Sequence, residues 1–402
     1  MKNIMEDTPP SSLNGDEINA EDGLMYYEEM EEVELEDLEE DMEEDDNKSI
    51  PPEDHASVVF EKHTGSVFCC HLHPDGKLAV TGGEDDKAYV WSTDTGDVVM
   101  LCGGHKDSVI FTEFCFDGAY LATADMSGVL KVWKCNENNQ QTWPIVFEYE
   151  TDDISFGLWH FGARVLIMGT VTGDMYMFKI PSGETKILQG HNVKIECAKV
   201  FHDGKRLAAG YEDGALKIWD LKTCQVLHQI SSNNHKMRVT ALDVHPENSL
   251  LASISTDGKV VLTTCVNGKV VGQLQTENEL EAIAFSQDPQ MDYFALGTLT
   301  GSVTIWDSTR QMMRHECAKP SQLIPGVTKM IWIKNHLVTT GLDGSVTVYE
   351  GRSGTRCCEF TGHRSELLDM SYNAKINILL TSSDDGTARI YKYDLEREND
   401  SS

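Results

Sequence analysis

Residues 212–220 read EDGALKIWD, an acid-and-glycine turn followed by a run in which Lys217 separates Leu216 from Ile218 and which closes on Trp219 and Asp220. A turn signal followed by alternating residues is how a sequence writes one hairpin and one half-buried strand. The same writing returns as EDDKAYVW ending at Trp91, SGVLKVW at Trp133, TGDMYMF at Phe178, TDGKVVLT at Thr263, TGSVTIWD at Trp306, LDGSVTVY at Tyr349 and DDGTARIY at Tyr391. That makes eight copies, with terminal residues 42, 45, 41, 44, 43, 43 and 42 residues apart. A period of about 40–45 residues is that of four-stranded propeller blades. One such blade cannot bury both faces, so eight of them must pack face to face in a ring. The expected architecture is all-β: an eight-bladed β-propeller over residues 56–395, preceded by a disordered acidic tail at 1–55 and followed by a short polar tail at 396–402.

A second regularity lies upstream of the strands. His63, His105, His191, His235 and His363 each stand 28 residues before the last residue of their repeat, three of them within Gly-His dipeptides. Gly-His and Trp-Asp at this spacing resemble the WD40 repeat. Within that family, TGGEDDKAYVW (81–91), GHKDSV (104–109), DMSGVLKVW (125–133), GYEDGALKIWDLK (210–222) and NGKVVG (267–272) resemble the branch of the angio-associated migratory cell proteins. Ser127 departs from the ordinary repeat by standing where the turn aspartate belongs.

The resemblance implies a hydrogen-bonded structural tetrad in each well-formed repeat. Its members are His63, Thr81, Asp85 and Trp91 in repeat one and His363, Thr381, Asp385 and Tyr391 in repeat eight. Repeat five keeps His235, Ser253 and Asp257 but ends in Thr263, and repeat four has Ala209 in place of the hydroxyl. Repeats three, six and seven lack the histidine and must rely on packing. Ring closure in such proteins borrows a strand across the termini. Residues 57–62 are therefore expected as the outer strand of the blade containing residues 392–395.

Charge is unevenly placed. Residues 1–55 hold 22 acids against Lys2 and Lys48, a net −20, while the remaining 347 residues hold 44 acids and 31 bases, a net −13. Such a chain repels a phosphate backbone, which argues against direct nucleic-acid binding. The tail is too poor in large apolar side chains to offset the entropy of ordering. Tyr26, Tyr27, Met30, Val33, Leu35, Leu38 and Met42 nevertheless recur among its acids at spacings mostly of three to four. The segment reads either as one that folds on a basic partner or as a solvating tail. No stretch approaches the ~20 apolar residues of a membrane-spanning helix. The first residues show no basic start, apolar core or cleavage site, and Lys2 stands where myristoylation needs glycine, so a cytoplasmic location is expected. Eleven cysteines without a Cys-x-x-Cys pair read as reduced thiols, several in apolar strands.

Catalytic, cofactor and metal sites are not expected. The regular His-Asp pairs are accounted for by the tetrads, and no phosphate loop or dinucleotide fingerprint occurs. His71 and His73 could share a strand face, but no third ligand is evident. Function is expected in the loops of one face. There Glu84, Asp86, Asp125, Glu212 and Asp384, neighbours of the buried turn position, would form an acidic ring at the channel mouth and receive a basic protein or peptide. The resemblance adds that an acidic-tailed fungal relative escorts a large-subunit ribosomal protein, which implies a role in ribosome assembly. The family's animal members imply an alternative, a scaffold in cell migration and angiogenesis-type signalling. A ubiquitin-ligase receptor is the least favoured reading, because Arg310 falls one residue late for a Trp-Asp-x-Arg motif after Trp306. A closed ring needs no partner for stability, so a monomer is expected.

Overall fold

The computed structural model describes residues 53–136, 143–318 and 326–393. All secondary structure in them is strand, in eight four-stranded antiparallel sheets. The blades comprise residues 67–102, 109–150, 154–188, 195–230, 239–275, 280–316 and 327–360, and the eighth is 367–392 with 58–60 added at its outer edge. The repeat count and blade order therefore follow the sequence period. The expected acidic tail, apart from residues 53–55, and the expected polar tail from 396 lie outside the described residues.

Closure works as the sequence implied, over a shorter span. Val58–Phe60 runs antiparallel to the last strand, pairing Val58 with Ile390, Val59 with Arg389 and Phe60 with Ala388. Ser57 extends the ladder by donating its N–H to the Ile390 carbonyl at 2.7 Å. Phe60, almost fully buried, stacks on Trp91 of blade one with centroids 4.7 Å apart and planes 8° apart. The strand thus belongs to blade eight, yet its aromatic side chain packs on blade one.

The core lies between blades, not within them. One apolar cluster joins Val80, Val90 and Cys69 of blade one to Val109, Phe114, Leu121 and Trp133 of blade two, and another joins blade eight to blade one through Phe60, Trp91, Leu380 and Ile390. The terminal residues of the repeats are the wedges: Trp91, Phe178, Trp219 and Tyr391 are fully buried. Each such side chain stabilises the ring by roughly 2–3 kcal/mol of transfer free energy. The turn before each strand needs a left-handed residue, supplied by glycine in most blades. At Gly214 (φ +82°) an added Cβ would meet the His235 carbonyl at 2.4 Å, so the next blade's loop forbids any side chain. In blade one Asp86 occupies that conformation at φ 59°, which aspartate tolerates better than most residues.

One feature is not written in the repeat pattern. The innermost strand of all eight blades carries a register shift after its first residue, at Val67/Cys69, Val109/Phe111, Ile154/Phe156, Ile195/Cys197, Val239/Ala241, Leu280/Ala282, Val327/Lys329 and Leu367/Asp369. A bulge at that height increases twist and re-aims one side chain per blade at the end of the innermost strand.

Candidate partner-binding face

The loops of one face are held by buried polar chains. In blade one His63 Nδ1 lies 2.8 Å from Asp85 and His63 Nε2 3.0 Å from the Thr81 hydroxyl. A carboxylate only accepts, so Nδ1–H donates to it and Nε2 must accept from threonine. Blade eight repeats this with His363, which lies 3.0 Å from Asp385 and 2.8 Å from Thr381. Burial lowers the pKa of both histidines, more than their aspartates raise it, which keeps the rings neutral. Asp385 moves the opposite way. Burial alone would raise it, but His363, Thr387 and the Arg364 N–H hold it well below the usual carboxylate range.

The fourth tetrad member behaves differently in each blade. The Trp91 indole N–H has no hydrogen-bond partner among the described residues, and the ring is fixed by stacking on Phe60. Tyr391 is fully buried and packs against Phe360, with centroids 5.4 Å apart. The complete relay is in blade two. Trp133 Nε1 donates to the Thr123 hydroxyl at 3.1 Å, which lies 2.9 Å from His105 Nε2, whose Nδ1 lies 3.0 Å from Asp125.

Asp125 therefore corrects the expectation that placed it on the exposed rim. It is fully buried and also accepts from the Lys106 and Val129 N–H groups and the Ser127 hydroxyl. The aspartate stands 20 residues after its histidine instead of 22, and Ser127, at the regular position, has become its donor. The signal was present in the sequence: Thr123 follows His105 by the same 18 residues that separate Thr81 from His63.

The other four acids are exposed, but they do not form an even ring. At the rim of seven blades, the first residue of the turn donates its N–H to the residue just before the innermost strand. The bonds run from Glu84 to Ser66 (2.9 Å), Met126 to Ser108 (3.0 Å), Val171 to Asp153 (3.0 Å), Glu212 to Lys194 (2.9 Å), Leu299 to Glu279 (3.2 Å), Leu342 to Gly326 (2.9 Å) and Asp384 to Glu366 (3.0 Å). These equivalent positions make the face readable as a clock. Blades eight and one contribute Glu366, Asp384 and Glu84, with Asp86 further out on the same turn. Blades two and three contribute exposed Met126 and Val171, and blade six contributes exposed Leu299. Glu212 sits apart on blade four, beside Lys194, which is itself paired to Glu196 at 3.2 Å.

Glu84 and Asp384, 300 residues apart in the chain, converge on one residue. Ser66 donates its N–H to Glu84 at 3.1 Å and its hydroxyl to Asp384 at 2.7 Å, and Ser365 donates to the other Asp384 oxygen at 3.1 Å. Beside them a cleft of about 340 Å³ opens at the seam, walled by Glu61 and Thr64 on one side and Asp384 and Thr387 on the other. Asp384 is thus held by two serine hydroxyls and Glu84 by a backbone N–H, and among the described residues no lysine or arginine is paired to either. A site of this kind offers fixed negative charge to a cation. His71 and His73 are engaged elsewhere: His71 Nδ1 accepts the Phe114 N–H at 3.3 Å and His73 bonds Asp75 at 2.7 Å.

A WD40-like domain model matches residues 65–354, and a model of the WD domain, G-beta repeat, matches residues 354–392. The chain belongs to the WD40 family. Among WD40 relatives, the human angio-associated migratory cell protein is 35% identical over 344 residues, covering 81% of this chain and 77% of that protein. The ribosome assembly protein SQT1 of Saccharomyces cerevisiae is 24% identical over 342 residues, covering 75% of this chain and 76% of that one. The solved structure of Chaetomium thermophilum Sqt1 bound to the N-terminus of the ribosomal protein L10 superposes with a TM-score of 0.77 at 21% identity, over 85% of this chain and all of that one. That likeness bears on the WD40 fold. Among the described residues no helix is long and apolar enough to cross a membrane.

Proposed function

We propose that this WD40 protein is a non-enzymatic escort whose acidic arc at the seam of blades eight and one holds a basic segment of a client, and that the client is a large-subunit ribosomal protein. The observation that carries the reading is the convergence of Glu84 and Asp384 on Ser66, beside a cleft where no cation among the described residues is paired to either carboxylate. Fixed, unpaired carboxylates around a concave opening raise the local concentration of a cationic chain and speed its capture. The relative named for ribosome assembly and the L10-bound neighbour support the choice of client. A soluble, cytoplasmic, monomeric escort is the form this reading takes.

A second reading, a scaffold in migration signalling, is favoured by the 35% identity to the migratory-cell relative and by the exposed Met126, Val171 and Leu299 on the same face. The two differ in salt response. Capture from cytosol by the full chain and by a Glu84→Lys, Asp384→Lys variant, read by mass spectrometry at low and moderate salt, separates them. An escort loses a basic ribosomal protein at least tenfold, about 1.4 kcal/mol, on charge reversal and on raising salt. Capture of cytoskeletal or signalling proteins, indifferent to both changes, overturns the escort reading.

A further inference from the structure

The other end of the blades carries a feature of opposite sign. Between blades three and four, on the side away from the histidine loops, lies a pocket of about 450 Å³ lined by the turns at residues 160–165, 204–205 and 220–222 and by the outer strands of blade three. Its floor is apolar, made by Val165, Met177 and Leu221, which belong to the cluster packed between these two blades. Its edge carries Lys179, Lys186, Lys205 and Lys222, all exposed, in a chain of net charge −33. The two acids of the lining are already committed. Glu184 lies 3.8 Å from Lys179, and Asp220 caps its own turn by accepting from the Thr223 N–H at 2.7 Å and the Thr223 hydroxyl at 2.9 Å. Lys186 reaches across the pocket to the Lys222 carbonyl at 3.1 Å and so ties the two blades. Lys205 has no hydrogen-bond or ion-pair partner for its ammonium among the described residues.

We propose that this pocket is a docking site for an acidic, leucine-bearing peptide segment of a partner protein, its apolar side chain on the Val165–Met177–Leu221 floor and its carboxylates on Lys205 and Lys222. Charge complementarity selects the occupant. The lysines surround an apolar floor, so a ligand must bring an apolar group and at least two negative charges a few ångströms away, as alternating Glu and Leu do. The recess is sunk between two blades, which suits a chain and not a flat membrane surface. Repulsion from the rest of the molecule does not oppose this, because the Debye length is about 8 Å at physiological ionic strength. Only the nearest charges count at the pocket. This site is separate from the acidic arc and does not rest on the escort reading.

The test uses the full chain and a fluorescein-labelled twelve-residue peptide of alternating glutamate and leucine, followed by fluorescence anisotropy at moderate salt. Saturable binding is expected, weakened at least tenfold by Lys205→Glu with Lys222→Glu and at least fivefold when serine replaces leucine in the peptide. Both lysines are exposed, so the melting temperature of the variant should match the parent. Glu84→Gln with Asp384→Asn, on the opposite face, should leave peptide binding unchanged. Equal binding by parent and lysine variant overturns the proposal, as does equal binding of the leucine-free peptide. Co-sedimentation with anionic phosphatidylserine vesicles that depends on Lys205 and Lys222, without peptide binding, overturns it in favour of a lipid site.

Discussion

Two seams of this ring are built from the same four-stranded parts and are held together in different ways. At the seam of blades eight and one, both blades carry a histidine chain, a borrowed strand crosses over, and Phe60 stacks on Trp91. At the seam of blades three and four, blade three has no histidine at the tetrad position, its His160 bonding instead to the Gly204 carbonyl at 2.9 Å, and blade four has a half-buried His191 3.1 Å from Asp213, its Nδ1 without a hydrogen-bond partner among the described residues. There the contact is carried by Met175, Met177, Leu188, Ile195, Tyr211 and Trp219. The comparison teaches that the tetrad is not what makes a blade. Apolar wedges make it, and the buried polar chain fixes the loop above it. The acidic cleft sits where the loops are fixed from both sides.

The largest way to break the comparison is Phe60→Ala, which removes a buried ring from the closure seam. It should cost about 3–5 kcal/mol, seen as a fall in the urea midpoint and as concentration-dependent aggregation once the outer edge of blade eight is exposed. Next is the pair His363→Ala and His191→Ala. The first strands Asp385 and Thr381 in a buried site and should cost about 2–4 kcal/mol. The second removes one half-exposed contact and should cost under about 1 kcal/mol. Equal losses would show that the polar chains do not distinguish the seams.

Acid should act on the same distinction. His63 and His363 have pKa values lowered by burial, so the unfolded chain takes up protons that the folded rings refuse. Their contribution is whole above the unfolded value of about 6.5 and is lost as pH falls below it. His235 in blade five, pushed by burial down to about 4, extends that window downward. Urea midpoints should therefore fall between pH 6.5 and pH 4.5, and hydrogen exchange should show the loop at His235, whose ring is shifted furthest of the three, opening first. A flat midpoint over that range would mean that the rings are protonated in the fold. The smallest effect concerns the indoles. Trp133→Phe loses a bond to Thr123 and should cost about 1 kcal/mol more than Trp91→Phe, whose N–H has no acceptor to lose.

The blade count, the closing strand and the His–Thr–Asp chains of blades one and eight were legible because a fixed period reports on packing that every copy must repeat, whereas the fourth member of each expected tetrad, Trp91 or Tyr391, is held by packing. Asp125 was misplaced because the eye follows the repeat position and the fold follows hydrogen-bond reach, which a two-residue slip with Ser127 preserves. The bulge in every innermost strand left no mark because it changes no residue type. The uneven rim could be read only in space, since Glu84 and Asp384 are neighbours through closure alone. The lysine pocket was missed for the same reason: its four lysines come from two repeats and from both turns and strands, with no spacing in common.

The closing strand also sets a clock. Val58–Phe60 must wait for Ala388–Lys392 before it has a partner. At a synthesis rate of about 5–20 residues per second, the roughly 330 residues between them take about 15–70 s to emerge. Over that interval Phe60 has no blade to complete and Glu84 no Asp384 beside it. The cleft is therefore a property of the finished chain only, and a polypeptide halted anywhere before its last strand has the acids of the site without the site.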